Sequence, residues 1–223
     1  MHLFLLTSLV LGMVGCDSEA PEEGAVDVPT TEAPTTPPPP ENVEVALPDL
    51  PEGQEVAVSV DLSKIHFTGA KITGSHDGGF EQFEGAVVVN DDQVLATKFE
   101  IDMASTTADS PKLAKHLMGK DFFKVKKYPT ATFVSSEVAA ASDPGAVTHT
   151  VKGVLDFHGK KRPLSFPATV AVGETAITVS ATFDINRQNW GLAYPGKPDD
   201  LIKDDVQIRL DLNFPTSSAA KAE

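Results

Sequence analysis

SPKLAKHLMGKDFFKVKKYPTATF, residues 110–133, is the one stretch of this chain that reads as a helix, in a sequence that otherwise reads as strands. Ser110 can cap the helix N-terminus, and Pro111 suits the first helical position, where a missing N–H costs nothing. Leu113, Leu117 and Met118 form a narrow apolar stripe. Gly119 is expected to stop the helix with a positive φ. Phe122 and Phe123 follow, then Lys124, Lys126 and Lys127 in what reads as a solvated turn, then Tyr128-Pro129 opening a strand. A short apolar helix followed by two adjacent phenylalanines reads either as a plug over an apolar interior or as an ordinary helix packed on a sheet face.

Working outward, the flanking sequence has period two. Val56, Val58, Val60 and Leu62 alternate with small or polar residues, and a phase slip to Ile65 and Phe67 predicts a bulge near Ser63-Lys64. GSHDGGF, residues 74–80, reads as a turn or open loop. Residues 83–89 form a second strand, and Leu95, Phe99, Ile101 and Met103 give the apolar face of a third. After the helix, residues 130–138 form a fourth strand, and Asp143-Pro144-Gly145 marks a turn. The fifth strand carries Val147, His149, Val151, Leu155 and Phe157, and the turn His158-Gly159-Lys160-Lys161 leads into Leu164, Phe166, Ala168, Val170 and Val172. Ile177, Val179, Ala181, Phe183 and Ile185 mark the seventh; a long loop with Trp190 and Tyr194 precedes Val206, Ile208, Leu210, Leu212 and Phe214. Eight alternating strands joined by tight turns predict an all-β, eight-stranded antiparallel up-and-down barrel with one short helix. At that size the interior is filled by side chains or holds one small ligand. Charges on the outward positions, among them Lys98, Glu100, Asp102 and Arg209, argue against an outer-membrane barrel.

The chain has 223 residues and a net charge of −14, and the charge is unevenly placed. Residues 17–55 carry eleven acidic residues, no Lys or Arg, and nine of the seventeen prolines; residues 56–223 carry 21 acidic and 18 basic residues. The first segment cannot bury enough apolar surface to offset chain entropy and reads as a disordered, self-repelling tether. The near-balanced remainder lacks the basic surface that a nucleic-acid partner needs. Residues 1–16, MHLFLLTSLVLGMVGC, are too short to span a bilayer as a helix and have the length and flanks of a secretory signal. Met13-Val14-Gly15-Cys16 resembles the bacterial lipobox, which implies lipidation of Cys16 and anchoring to a bacterial membrane. Cys16 is the only cysteine, so no intrachain disulfide forms. The expected organisation is a signal at 1–16, a tether at 17–55, a barrel at 56–215 and a disordered tail at 216–223.

No phosphate loop, His-Glu-x-x-His or Gly-x-Ser-x-Gly motif occurs. His66 and His76 flank a turn without a third ligand, so no metal is expected. Asp199-Asp200 with Asp204-Asp205 matches no calcium loop and reads as solvated charge. His116 reads either as a group at a barrel mouth bonding a polar head group or as a solvated histidine. Arg187, three residues before Trp190, reads either as a head-group ligand or as half of an ion pair with a loop aspartate. No nucleophile is paired with a base, so no enzymatic activity is expected.

Several of these residues carry a family resemblance. His116-Leu117 through Asp121-Phe122-Phe123, followed by Tyr128-Pro129-Thr130-Ala131-Thr132-Phe133, resembles the central signature of the YceI-like family. Val151-Lys152-Gly153-Val154-Leu155 with His158-Gly159 is similar to its V-x-G-x-L-x-x-x-G hairpin. Asn186-Arg187 through Trp190-Gly191, and Asp205-Val206-Gln207-Ile208, resemble its C-terminal motif; Phe67-Thr68-Gly69, Gly79-Phe80 and Phe83-Glu84-Gly85 resemble its N-terminal strands. The resemblance implies a lipocalin-like barrel, mostly periplasmic, that holds a polyisoprenoid or isoprenoid quinone. The expected ligand wall is Phe67, Phe83, Phe99, Ile101, Phe133 and Leu155, with Phe166, Phe183 and Ile185. His116, Leu117, Phe122, Phe123, Arg187 and Trp190 are expected at the mouth. The expected role is non-enzymatic carriage of that lipid, with no other cofactor, from a lipid-anchored position in the bacterial envelope facing the periplasm or cell surface; a structural head on a stalk is the alternative. A homodimer is among the assemblies left open.

Overall fold

The computed structural model describes residues 45–142 and 145–216. The signal and lipidation site at 1–16, the tether up to residue 44, Asp143-Pro144 of the expected turn, and residues 217–223 of the tail lie outside the described residues.

Among the described residues, twelve strands and one α-helix follow the alternation of the sequence. They are β1 (Gln54–Ala57), β2 (Lys64–Lys71), β3 (Gly74–Phe80), β4 (Phe83–Asn90), β5 (Gln93–Asp102), β6 (Thr106–Ala108), α1 (Pro111–Leu117), β7 (Thr130–Ala140), β8 (His149–Phe157), β9 (Lys160–Val172), β10 (Ala176–Asn186), β11 (Gly196–Lys197) and β12 (Asp200–Pro215). All pairings are antiparallel. Of the four strands beyond eight, two are β1, which pairs with β4, and the two-residue β11, which pairs with β12; the other two arise because two long strands are each broken. β3 and β4 form one strand bent at Glu81-Gln82, and β5 and β6 form its partner, bent at a 3-10 turn over Met103–Ser105. The corner is tied by the Ser105 carbonyl accepting from Glu81 N–H and by Asp102 N–H donating to the Gln82 carbonyl. Counted this way, the circuit β2, β3/β4, β5/β6, β7, β8, β9, β10, β12 returns to β2, and the sheet closes as an eight-stranded barrel. The wall is least complete between β9 and β10, which pair only over residues 169–172 and 177–180.

Three local expectations are corrected. Residues 56–67 are not one bulged strand: β1 leaves β4, and Val58 and Ser59 bond across to Gly85 and Asn213 before β2 begins, because both apolar phases are needed at two different places. The stretch 74–80 is strand β3, not a loop. A Cβ on Gly78 would lie 2.2 Å from the Phe67 ring and 2.6 Å from the Thr107 carbonyl, so glycine serves close aromatic packing across strands rather than a turn. Leu95 sits at a bulge, where β4–β5 register shifts, so Val94 and Ala96 are the buried residues there. The turn between β8 and β9 is His158-Gly159, both at positive φ, the two-residue hairpin geometry that suits twisted strands.

α1 spans Pro111–Leu117 as expected, but Ser110 makes no side-chain cap bond and Gly119 does not take a positive φ. The left-handed residue is Lys124, which lets the segment 118–128 fold back so that Phe122 and Phe123 both turn inward.

The pairings sort the loops by end. The β2–β3 tip, α1 with its following segment, the β8–β9 turn and the strap 191–199 share one end; the β4–β5, β7–β8 and β9–β10 connections share the other. The second end is plugged by a cluster that includes Val56, Val87, Val94, Ile177, Leu212 and Phe214, the last wholly buried.

Candidate functional site

Between that plug and α1 the barrel encloses a cavity of about 470 Å³. This lies within the range of small-molecule pockets, about 300–1,000 Å³. Period-two alternation supplies its wall, since every second residue of a barrel strand points inward. On β2 these are Ile65, Phe67, Gly69 and Lys71; on β12 they are Ile202, Val206, Ile208, Leu210 and Leu212. Phe133, Phe166 and Phe183 form one aromatic side: Phe166 stacks on Phe183 at 4.3 Å and 11°, and Phe133 lies 5.6 Å from Phe166. Phe67, Phe80 and Phe123 pack at 5.6–6.4 Å on the opposite side.

α1 and its following segment cap the mouth, the plug arrangement rather than a helix lying on an outer sheet face. Leu113, His116, Leu117, Phe122 and Phe123 all line the cavity. His116 stands edge-on to both Phe122 and Tyr194, at 5.3 Å each, so it joins the cap to the strap. The strap is held at its far side by Asp200, which accepts from Lys71 Nζ at 2.6 Å and from the Thr73 N–H and Oγ1 at 3.1 and 3.0 Å. The Lys71 bond holds the Asp200 carboxyl below its usual value.

Arg187 is buried, and its guanidinium is committed to the protein. Nε donates to the Lys203 carbonyl at 3.0 Å, Nη2 to the Ile202 carbonyl at 3.3 Å and to Asp204 Oδ1 at 2.9 Å, and Nη1 to the Leu192 carbonyl. Of the two sequence readings, the geometry realises the ion pair with a loop aspartate, extended by three carbonyls. Arg187 borders the cavity but positions the strap and the start of β12. Asp200 and Asp204 are thus each spent on a basic partner, and the described residues hold no cluster of metal-ligating groups.

Thirteen of the fifteen expected wall and mouth residues border the cavity; Phe83 and Trp190 do not. Phe83 belongs to the plug at the other end, since β4 is bent away from β3 at Glu81-Gln82. Trp190 lies behind the wall, 1% exposed, donating from Nε1 to the Leu155 carbonyl at 3.1 Å and packing on Phe157. Sequence reading missed Phe80, Met103, Phe157 and Tyr194 as lining residues. Phe157 could have been found, because it continues the inward phase of Leu155. Phe80 was hidden by the glycines before it, and Tyr194 by its long loop.

His158 carries the clearest perturbed histidine. Burial holds its imidazole below the ordinary value, and Lys124, Lys160 and Lys127 push the same way, against the opposing bond from Nδ1–H to the Trp190 carbonyl at 2.9 Å. Its ring lies 4.6 Å from Tyr128, outside the cavity lining. The neutral ring is a structural joint between the β8–β9 turn and Trp190.

Residues 52–214 match the model of the YceI-like domain. A UPF0312 protein of Pseudomonas putida is 28% identical over 165 residues, which cover 70% of this chain and 81% of the relative. The crystal structure of Burkholderia cenocepacia BcnA aligns with a TM-score of 0.63 at 27% identity, covering 70% of this chain and 98% of that one. A polyisoprenoid binding domain from Saccharophagus degradans, described as implicated in plant cell wall breakdown, aligns at a TM-score of 0.58 and covers 72% and 97%. At 16% identity the last likeness speaks to the fold alone.

Proposed function

The chain belongs to the YceI-like family, and from that membership we propose that its barrel holds a polyisoprenoid or isoprenoid-quinone-like amphiphile without converting it. The observation that carries this reading is the cavity: apolar on all sides, plugged at one end, and polar only at the mouth, where Lys71, His76, His116, Tyr194 and Lys197 gather. An amphiphile fits such a distribution tail-inward, because burial of apolar surface is worth about 25 cal/mol per Å² whereas a polar head buried in the aromatic interior would lose its hydration. Two observations support holding over catalysis. His116 is flanked by aromatic rings, and Arg187 is engaged by backbone carbonyls and Asp204. The ligand class is the one that the family resemblance implies, and the Saccharophagus domain supports it only by sharing the barrel fold. We extend the proposal to lipidation at Cys16, which places the barrel on a tether in the bacterial envelope; the lipobox-like sequence supports it.

Native mass spectrometry of the chain purified from a bacterial periplasm, followed by organic extraction, tests the binding reading. A stoichiometric isoprenoid or quinone mass is the expected result. An empty barrel that also refuses added isoprenoids would overturn it.

A further inference from the structure

Charge on this barrel is sorted by end. The cap that covers the mouth, residues 111–129, carries Lys112, Lys115, Lys120, Lys124, Lys126 and Lys127 against the single carboxylate Asp121. All six lysines are exposed. The opposite end has Asp91, Asp92 and Glu174 at its turns, Glu52 just before β1 and Glu55 within it, with no Lys or Arg in residues 50–57, 89–95 or 172–177. Two of the few exposed large apolar side chains stand together on the mouth rim. Ile72 is 68% exposed and Leu201 47% exposed, and Ile72 N–H bonds the Leu201 carbonyl at 3.2 Å. Neither lines the cavity, but their neighbours Lys71, Asp200 and Ile202 do. Of the nearby carboxylates, Asp200 and Asp204 are paired with Lys71 and Arg187, and exposed Asp199 and Asp205 are matched in number by exposed Lys197 and Lys203.

From this arrangement we infer that the mouth end docks on an anionic lipid bilayer. Lysines beside an anionic membrane surface add attraction over about a Debye length, and exposed aliphatic side chains enter the interface. The acidic far end is repelled by the same surface, so the field turns the mouth toward the lipid. Docking there brings the cavity opening onto the bilayer, and an apolar ligand exchanges without crossing water. A bilayer fits better than an acidic protein, because the exposed aliphatic pair stands at the β2–β3 turn and the β11–β12 hairpin beside the opening, next to the cap lysines. The inference rests on the amphiphile-binding reading for its purpose, but docking itself is measured without any ligand.

The test uses the full chain carrying Cys16→Ser, which removes any lipid anchor, and vesicle flotation. Vesicles of equal phosphatidylglycerol and phosphatidylcholine are expected to carry the protein at low salt, and pure phosphatidylcholine vesicles are not. Lys112→Glu, Lys115→Glu, Lys120→Glu and Lys126→Glu together should weaken binding to anionic vesicles at least about tenfold. Ile72→Ser with Leu201→Ser should weaken it severalfold. Lys64→Glu with Lys98→Glu on the barrel wall should weaken it far less, which separates a mouth effect from bulk charge. Circular dichroism and ligand retention certify each variant. Should the quadruple variant not fold, the pairs Lys112→Glu/Lys115→Glu and Lys120→Glu/Lys126→Glu carry the same comparison. No binding to anionic vesicles, equal binding to both vesicle types, or equal weakening by the wall pair overturns the inference. Because the cap lysines and the rim pair do not line the cavity, loss of docking with ligand retained separates its failure from failure of the binding reading.

Discussion

Replacing Arg187 by methionine separates the two roles that an arginine at a barrel mouth can play. The side chain is 5% exposed, and three of its four bonds go to the carbonyls of Leu192, Ile202 and Lys203. Bonds from a charged donor are worth about 1.5–3 kcal/mol each. They do not add fully, because the strap relaxes and water reaches the orphaned carbonyls. Breaking a buried charged network costs about 3–5 kcal/mol. The Asp204 share is small, since that carboxylate is 45% exposed and largely screened; Asp204→Asn should cost less than about 1 kcal/mol. For a folded unit of this size, about 2–4 °C per kcal/mol converts the Arg187→Met loss to about 6–20 °C. The assay is urea and thermal unfolding of ligand-free protein by circular dichroism, with ligand content measured on the variant well below its midpoint. The expected outcome is a large stability loss with ligand retained in the folded fraction. A loss below about 1 kcal/mol together with an empty cavity would refute the structural role and restore Arg187 as a head-group ligand.

Gly69→Trp should block the site without unfolding the barrel, because a Cβ there meets nothing within 4 Å and the residue lines the cavity; native mass spectrometry should show at least about a tenfold loss of bound amphiphile, an interior wall position reducing capacity by occupying it. Gly78→Ala should destabilise by about 1–3 kcal/mol in urea unfolding, since the new methyl meets the Thr107 carbonyl, a backbone atom with little freedom to move. A fold with His158 held below its ordinary value binds fewer protons than the unfolded chain, so its contribution is complete above the unfolded value, 6.5, and is lost as pH falls from there through the lowered folded value. The urea midpoint should therefore drop with pH below that point, and His158→Asn, whose side chain tolerates the positive φ, should flatten the drop; an unchanged slope counts against the buried neutral ring.

The strands and the helix were legible because alternation and Pro111 are local signals. Ile177 to Ile185 and Val206 to Phe214 could only be half-buried strands, and eight of them could only close. The glycine stretch before Phe80 was not legible, because glycine for a turn and glycine under an aromatic ring look alike in sequence; only the ring of Phe67 tells them apart. By itself, then, the sequence determined a small barrel with an apolar interior, one short apolar helix whose placement it left open, and an acidic segment ahead of it. Tertiary structure decided which apolar residues face space and which face each other. It sent Phe83 into the plug and Trp190 behind the wall, brought Phe80 and Tyr194 to the cavity, and joined Arg187 to carbonyls five to sixteen residues away. Burial is a property of one strand's phase, but a cavity is what remains after several strands have packed, so its wall is set by contacts distant in the chain.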